Sequence, residues 1–355
     1  MRGWMGKFRS LFLFSALALF LSGCSGVDNV SALKPKGYSA ELLFNLMMIS
    51  IAIMLFVFII VMVIYAFVLV RYRQRKGQED MIPKQTEGNK ALEVIWTVIP
   101  ILLLLVLAVP TVQATFDLAD RSKQDDKGTL TVEVTGNQYW WHFNYADQEI
   151  ATSEDLYIPT GERVYLNMKS SDVIHSFWLP SIAGKMDTNP GENMNTMYLE
   201  AYDEGVYTGH CAELCGPSHS LMDFRVIAVS PEEFKQWKED MKNVDPKAKP
   251  ESTSAQEGQE LFNKNCMSCH AIGNAAAGVG PNLTNYGNRT KIAGILEPTK
   301  ENLVDWITNN NEIKPGNKMP MNLVSKEEAG KIADYLLQMK DTEITPESAG
   351  GSDNK

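Results

Sequence analysis

The chain has 355 residues, with 33 basic against 43 acidic side chains and a formal net charge of −10. That length allows two or three small domains. The acidic balance excludes nucleic acid as a partner.

The chain begins with Arg2, Lys7 and Arg9 ahead of an apolar run from Leu11 to Leu21, which is followed by Ser22, Gly23 and Cys24. A basic start, a short apolar stretch and small residues make a secretory signal, and the run is too short to cross a bilayer comfortably. Cys24 directly after Leu-Ser-Gly resembles a bacterial lipoprotein signal. The resemblance implies removal of residues 1–23 and a lipid (palmitate-type) anchor on Cys24. Each buried methylene of such an anchor contributes about 0.8 kcal/mol. Ordinary signal cleavage with an incidental cysteine is the alternative. Residues 24–41 are then the mature N-terminal segment.

No residue is charged from Leu42 to Val70, nor from Val94 to Phe116. Each run is long enough for a membrane helix, so residues 42–116 read as a transmembrane helical hairpin. Pro100 and Pro110 lie inside the second run; proline is tolerated in a span when neighbouring helices compensate the lost backbone bond. The connection carries Arg71, Arg73, Arg75, Lys76, Lys84 and Lys90, which the positive-inside rule puts in the cytoplasm. Everything after Phe116 is therefore expected on the outer face of the membrane. Glu93 opens the second helix, where an acid is favoured by the helix dipole.

Residues 117–241 change to short alternating runs: Thr129–Val134, Arg163–Met168 and Arg225–Val229. Such runs, bounded by Gly, Pro, Asn and Asp, predict a β-sandwich. Late in this domain comes Gly209-His210-Cys211-Ala212-Glu213-Leu214-Cys215-Gly216-Pro217-Ser218-His219-Ser220-Leu221-Met222. Thiolate and thioether are soft ligands and imidazole suits copper. One cysteine with a histidine and a weak methionine would suggest a blue-copper site, but two cysteines supply one thiolate too many. Two thiolates can bridge two metal ions if a second histidine joins, and His175 is available. A disulfide between Cys211 and Cys215, or a structural zinc on Cys211, Cys215 and His219, are the plainer readings; neither uses Met222.

Cys-x-Glu-x-Cys-x-x-x-His-x-x-Met with a distant upstream histidine resembles the copper A centre of cytochrome c oxidase subunit II, from the first span to about Val229. The resemblance implies a cupredoxin-like fold and copper ligands His175, Cys211, Cys215, His219 and Met222, with the backbone carbonyl of Glu213. His210 is not a ligand position. Glu93 matches the acid of the family's Glu-x-Ile-Trp-Thr run, which implies the mouth of a proton-uptake path in a partner subunit. Lys185, Asp187 and Pro190-Gly191 fit a pattern near the catalytic subunit, and the Glu213 side chain is a candidate ligand for a Mg²⁺ shared with it. In the aromatic run Gly136–Phe143 the family has Gln-Trp-Tyr-Trp, its first Trp facing the electron donor; this chain has Tyr139 there. That departure fits poorly with docking of a separate soluble cytochrome. His142 reads as a packing or surface residue.

Pro231–Met241 has a helical, charged pattern that caps the sandwich. Residues 242–257 read as a linker rich in Pro, Lys, Ser and Glu, with a typical reach of roughly 20–25 Å if flexible. Residues 258–341 read as a small all-α domain. Cys266-Met267-Ser268-Cys269-His270 carries the c-type heme attachment signature, in which two thiols add to the heme and the histidine reaches iron. A thioredoxin-like reading lacks a surrounding βαβ pattern. Gln256–Cys266 predicts a helix, and Ser325–Met339 another. The domain resembles small c-type cytochromes. That resemblance implies that the Pro281 carbonyl orients His270 and that Met319, before Pro320, is the second axial ligand, with Met321 as the alternative. Residues 342–355 read as a polar, disordered tail.

The fold expected is thus a membrane-anchored multidomain chain: a two-helix hairpin, a cupredoxin-like β-sandwich and an all-α cytochrome c domain. The family resemblance implies subunit II of a bacterial caa-type oxidase. Its electrons come from cytochrome c through heme c and copper A to the heme of subunit I, where oxygen is reduced and protons are pumped. A quinol oxidase subunit II would not need the copper or heme motifs. A nitrogen-oxide reductase subunit could share the copper loop. A membrane copper carrier would leave the heme motif unexplained.

Overall fold

In the computed structural model the described residues are 28–74, 87–273 and 279–350, with the isolated positions 15, 77 and 82. Cys24 lies outside them. The described residues up to Ala40, together with those from Gln124 onward, form one compact unit; those within Glu41–Lys123 form a second.

The second unit holds most of two helices, α1 (Tyr38–Tyr72) and α2 (Lys90–Leu118). Both are long and apolar enough to cross a membrane. Their side chains are exposed nearly all round, as a helix that meets lipid on every face would be. Asn89 caps α2, its Oδ1 accepting from the amides of Ala91 and Leu92. Glu93 sits in the first turn, and Pro100 and Pro110 lie within the helix.

Among the described residues of the first unit, ten strands make two five-stranded sheets. The strands are β1 (Leu130–Asn137), β2 (Trp140–Tyr145), β3 (Ile150–Ser153), β4 (Asp155–Pro159), β5 (Val164–Ser170), β6 (His175–Trp178), β7 (Lys185–Thr188), β8 (Asn195–Leu199), β9 (Gly205–Cys211) and β10 (Asp223–Val229). One sheet runs β3-β2-β1-β5-β8, the other β4-β10-β9-β6-β7. Alternation puts Val132, Val134, Trp141, Phe143 and Tyr145 inward from the first sheet, against Phe177, Phe224 and Val226 of the second. Phe177 stacks on Phe224 at 4.2 Å, and Trp141 meets Phe177 edge-on at 5.4 Å. Each aromatic pair adds about 0.5–1.5 kcal/mol beyond its buried area, so the end of the sandwich that bears His175 is stiff. Helix α3 (Pro231–Lys242) starts in a capping box of Ser230 and Glu233 and lays Trp237 flat on Tyr157 at 4.7 Å.

The N-terminal segment is pinned to the sandwich. The Lys36 amide donates to Ser181 O and its ammonium pairs with Asp203, while the Ala40 amide donates to Ile182 O. A Cβ on Gly37 would lie 2.6 Å from Glu200 O, so only glycine fits this close approach.

The C-terminal helices are α4 (Thr253–Asn265), α5 (Lys300–Ile313) and α6 (Lys326–Gln338). They share a second apolar core of Phe262, Leu303, Ile307, Ile332, Ala333 and Leu336. Two expectations need correcting. The linker is shorter than 242–257, because α3 runs through Lys242 and α4 begins at Thr253; what lies between is tied back by Gln256 and Gln259, which donate to Pro250 O and Ala248 O. The tail is not a loose polar end through Gly350: Thr342 donates to Asp240, Ile344 packs on the sandwich and Ala349 is fully buried. His175 begins strand β6. Its backbone is therefore held by the ladder to β7, two residues from where β6 pairs with β9.

Candidate functional site

Strand β9 ends at Cys211, and the chain loops through Glu213, Cys215 and His219 to Met222 before β10. Both ends are clamped. The Cys211 amide donates to Met222 O and the Ala212 amide to Ser176 O, tying the loop to β6. Gly216 has φ +133°, and a Cβ there would fall 2.4 Å from the Tyr139 hydroxyl. The turn thus needs glycine for its conformation and for space.

The sulfurs of Cys211 and Cys215 are 3.9 Å apart. That is nearly twice a disulfide bond of about 2.05 Å, yet two sulfurs each ~2.3 Å from a common ion can lie up to ~4.6 Å apart. His175 Nδ1 is 3.9 Å from Cys211 Sγ, His219 Nδ1 is 3.6 Å from Cys215 Sγ, and Met222 Sδ is 3.9 Å from Cys215 Sγ. Cys211 Sγ also approaches the Glu213 carbonyl at 3.4 Å, while the Glu213 side chain is exposed. His175, Cys211 and Cys215 are all buried and their ligand atoms lie within 4.8 Å of one another. The donor set is therefore two central sulfurs, one imidazole beside each, and one weak donor beside each: a carbonyl near Cys211 and a thioether near Cys215. It fits two soft ions that share the thiolates, and zinc on three ligands would leave half of it unused.

The electrostatics favour one thiolate shared by the pair, with the charge on Cys211. Cys211 is pushed down to about 3, first by the hydrogen bond with Cys215, against the cost of burial and with help from His175. Cys215 moves up, because the charge on Cys211 keeps the shared proton on it. His175 Nε2 is engaged with Asp172 Oδ1 at 2.8 Å, which leaves Nδ1 facing the sulfurs. Asp172 stays a carboxylate. Burial raises its pKa, but hydrogen bonds from His175, the amides of Gln138 and Val173, and Lys318 bring it down to about 2. His210, by contrast, pairs with Asp223 at 2.8 Å and stands outside the cluster.

The second cluster follows α4. The amides of Cys269 and His270 both donate to Cys266 O, a tight turn that follows the helix directly. His270 Nδ1 donates to Pro281 O at 2.8 Å, as expected from the sequence. That bond sets the tautomer and leaves Nε2 as the free ligand atom. Burial pushes the His270 pKa down, so its ring is neutral and able to bind a metal; Pro281 O opposes this only partly. A Cβ on Gly280 would meet His270 Cε1 at 3.0 Å, so the ring is wedged as well as tethered. The arrangement fits covalent heme: two unpaired thiols and one oriented imidazole. Met319 lies in the loop after α5, half-buried, its amide donating to Asn317 Oδ1.

Tyr139 is 3% exposed. It is covered by that same loop: Lys314 Nζ donates to Tyr139 O at 2.9 Å, and Ser218 Oγ donates to Pro315 O at 2.8 Å. Sequence reasoning gave no role to Asp172, Gln138, Ser218, Lys314 or Lys318. Only Asp172 carried a local signal, an acid three residues before the histidine it holds. Ser218 lies within the ligand loop itself, and Gln138, Lys314 and Lys318 reach their partners across 34 to 175 residues of chain.

Three family descriptions match the chain in order. Cytochrome C oxidase subunit II, transmembrane domain, covers residues 32–114; its periplasmic domain covers 148–229; and Cytochrome c covers 255–340. Cytochrome c oxidase subunit 2 of Bacillus sp. (strain PS3) is 49% identical over 353 residues, covering 94% of this chain and 98% of that protein. The chain belongs to the cytochrome c oxidase subunit II family. Its fused cytochrome c domain makes it a member of the caa type. The subunit 2 of Bacillus subtilis (strain 168) is 46% identical over 353 residues, with the same coverage of both chains. Quinol oxidase subunit 2 of Bacillus spizizenii is 37% identical over 247 residues, covering 68% of this chain and 76% of that protein. The oxidase matches are long enough to take in the C-terminal cytochrome domain; a 68% match cannot span all three. Membership implies a membrane-anchored subunit that works beside subunit I.

Proposed function

We propose that the chain is the electron-carrying subunit of a respiratory heme–copper oxidase. It accepts electrons from cytochrome c and delivers them to the heme of subunit I, where oxygen is reduced to water and protons are pumped. The observation that carries this reading is the pair of buried sulfurs 3.9 Å apart, with an imidazole nitrogen beside each.

His175, Cys211, Cys215, His219 and Met222, with the carbonyl of Glu213, would hold a dinuclear copper A centre. Cys266, Cys269, His270 and Met319 would hold one heme c. When bound, each group takes up and gives back one electron at a time. The residues keep the cost of that exchange low by not moving: His175 is locked by Asp172 and the β6 ladder, and the Cys loop by its bonds to β6 and β10. A rigid, mostly buried cage of this kind also sets the potential.

Tyr139 lies under the cytochrome domain's loop, which supports an internal donor: external cytochrome c reduces the fused heme domain, and electrons reach copper from there. The Arg- and Lys-rich connection between α1 and α2 supports an outer-face location for both redox domains. Cys24 would carry the lipid anchor. The exposed Glu213 carboxylate would contribute to a Mg²⁺ site completed by subunit I, and Glu93 would stand at the mouth of a proton-uptake path in that partner.

Metal analysis and electron paramagnetic resonance of the purified complex test the reading. Two coppers per chain and a multi-line mixed-valence signal are expected. Cys215→Ser should abolish that signal and leave heme c reducible. Fewer than two coppers, zinc in their place, or a multi-line signal that survives Cys215→Ser defeats it.

A further inference from the structure

Asp172 has two oxygens with different neighbours. Oδ1 takes His175 Nε2 at 2.8 Å and the Val173 amide at 2.8 Å. Oδ2 takes the Gln138 amide at 2.9 Å and, at 3.1 Å, the ammonium of Lys318. Lys318 belongs to the cytochrome domain and directly precedes Met319, and the Asp172 carboxylate bridges it to His175.

A lysine that is 67% exposed would ordinarily make a weak and variable pair. Here its backbone is set before the pair forms. Lys314 is buried and bonded to Tyr139 O, Pro315 O receives the Ser218 hydroxyl, and Asn317 Nδ2 donates to Lys314 O. These contacts fix the loop on the copper-bearing end of the sandwich and deliver the ammonium to one carboxylate. A carboxylate that accepts from a ligating histidine makes the ring more basic and so favours the oxidised metal. A cation on the far oxygen draws charge away and weakens that effect.

We propose that Lys318 is a positioning residue for the copper site, pairing with Asp172 to limit how far the carboxylate polarises His175 and thereby holding the copper potential up. The fused domain then does more than carry a heme, since it contributes one charge to its neighbour's metal cage. This rests on His175 being a copper ligand.

The test uses the full-length complex with metals bound. Copper and heme c potentials are measured by spectroelectrochemistry, and the hyperfine-shifted ring-proton resonances of His175 by paramagnetic NMR, in wild type, Lys318→Gln and Lys318→Arg. Lys318→Gln should lower the copper potential and shift the His175 resonances, and Lys318→Arg should keep both near wild type. Raising the salt should move the wild-type copper potential toward that of Lys318→Gln, because an exposed pair is screened. An unchanged copper potential and unchanged His175 resonances in Lys318→Gln overturn the inference, even if the heme potential moves. Absence of copper overturns this inference and the proposed function together; two coppers with an unaltered potential overturn this inference alone.

Discussion

Met319 and Met321 compete for one role, and their surroundings differ. Met319 is half-buried and its amide is fixed by Asn317, whereas Met321 is 44% exposed on the far side of Pro320. A thioether that is already partly desolvated and held by its own backbone loses less freedom on binding iron. Methionine as the axial ligand raises a heme potential. Met319→Ala is therefore expected to lower the heme c potential in a redox titration and to remove the weak absorption of a sulfur–iron bond. If only Met321→Ala does so, the assignment to Met319 is wrong.

Helices α4 and α6 cross closely enough that one residue decides their packing. A Cβ built on Gly258 lies 1.9 Å from Lys331 O and 2.5 Å from its carbonyl carbon, both backbone atoms that cannot swing aside. Alanine would gain roughly 1 kcal/mol in helix propensity. Forcing the two backbones apart costs about 1–3 kcal/mol or more, and the crossing buries Phe262, Ile332 and Leu336. Gly258→Ala should lower the thermal midpoint of the cytochrome domain, followed by circular dichroism of the intact chain. A midpoint at or above wild type would mean that the crossing opens without cost.

At the scale of the molecule, the cytochrome domain and the sandwich meet over buried charge. Glu154 and Asp155 stand at the start of β4 with Lys314 and Arg289 of the cytochrome domain near them. Burial raises Glu154 from 4.5 to about 7, opposed by Lys314 and Arg289; it raises Asp155 from 3.8 to about 6, opposed by Arg289 and Arg225. Carboxyls whose folded pKa is raised hold more protons in the folded state between the two values. Their contribution is complete below about 4 and is lost as pH rises through 6 and 7. The melting temperature of the detergent-solubilised chain should therefore fall between pH 5 and pH 8. Glu154→Gln, neutral throughout, should flatten the upper part of that fall; a slope unchanged by the substitution would remove Glu154 from its cause.

Local chemistry made much of this protein legible in one dimension. Two uncharged runs of membrane length, a Cys-x-x-Cys-His motif and four metal donors within twelve residues each announce themselves, because a helix in lipid, a thioether pair and a ligand loop are built from near neighbours in the chain. Alternation along β1, β5 and β10 likewise marks strands with one buried face. What the sequence alone could not provide is the relation between the domains. A polar stretch such as Asn243–Ser252 reads the same whether it swings freely or is tied down, and the difference lies in partners far along the chain. Asp172 becomes the hinge between His175 and Lys318, and Lys314 finds Tyr139 O, only because folding brings together residues 146 and 175 positions apart. A buried lysine needs an acceptor, and nothing in its local sequence names one. Only the tertiary structure decided that the Lys314–Met319 loop rests against the Cys211–Met222 loop.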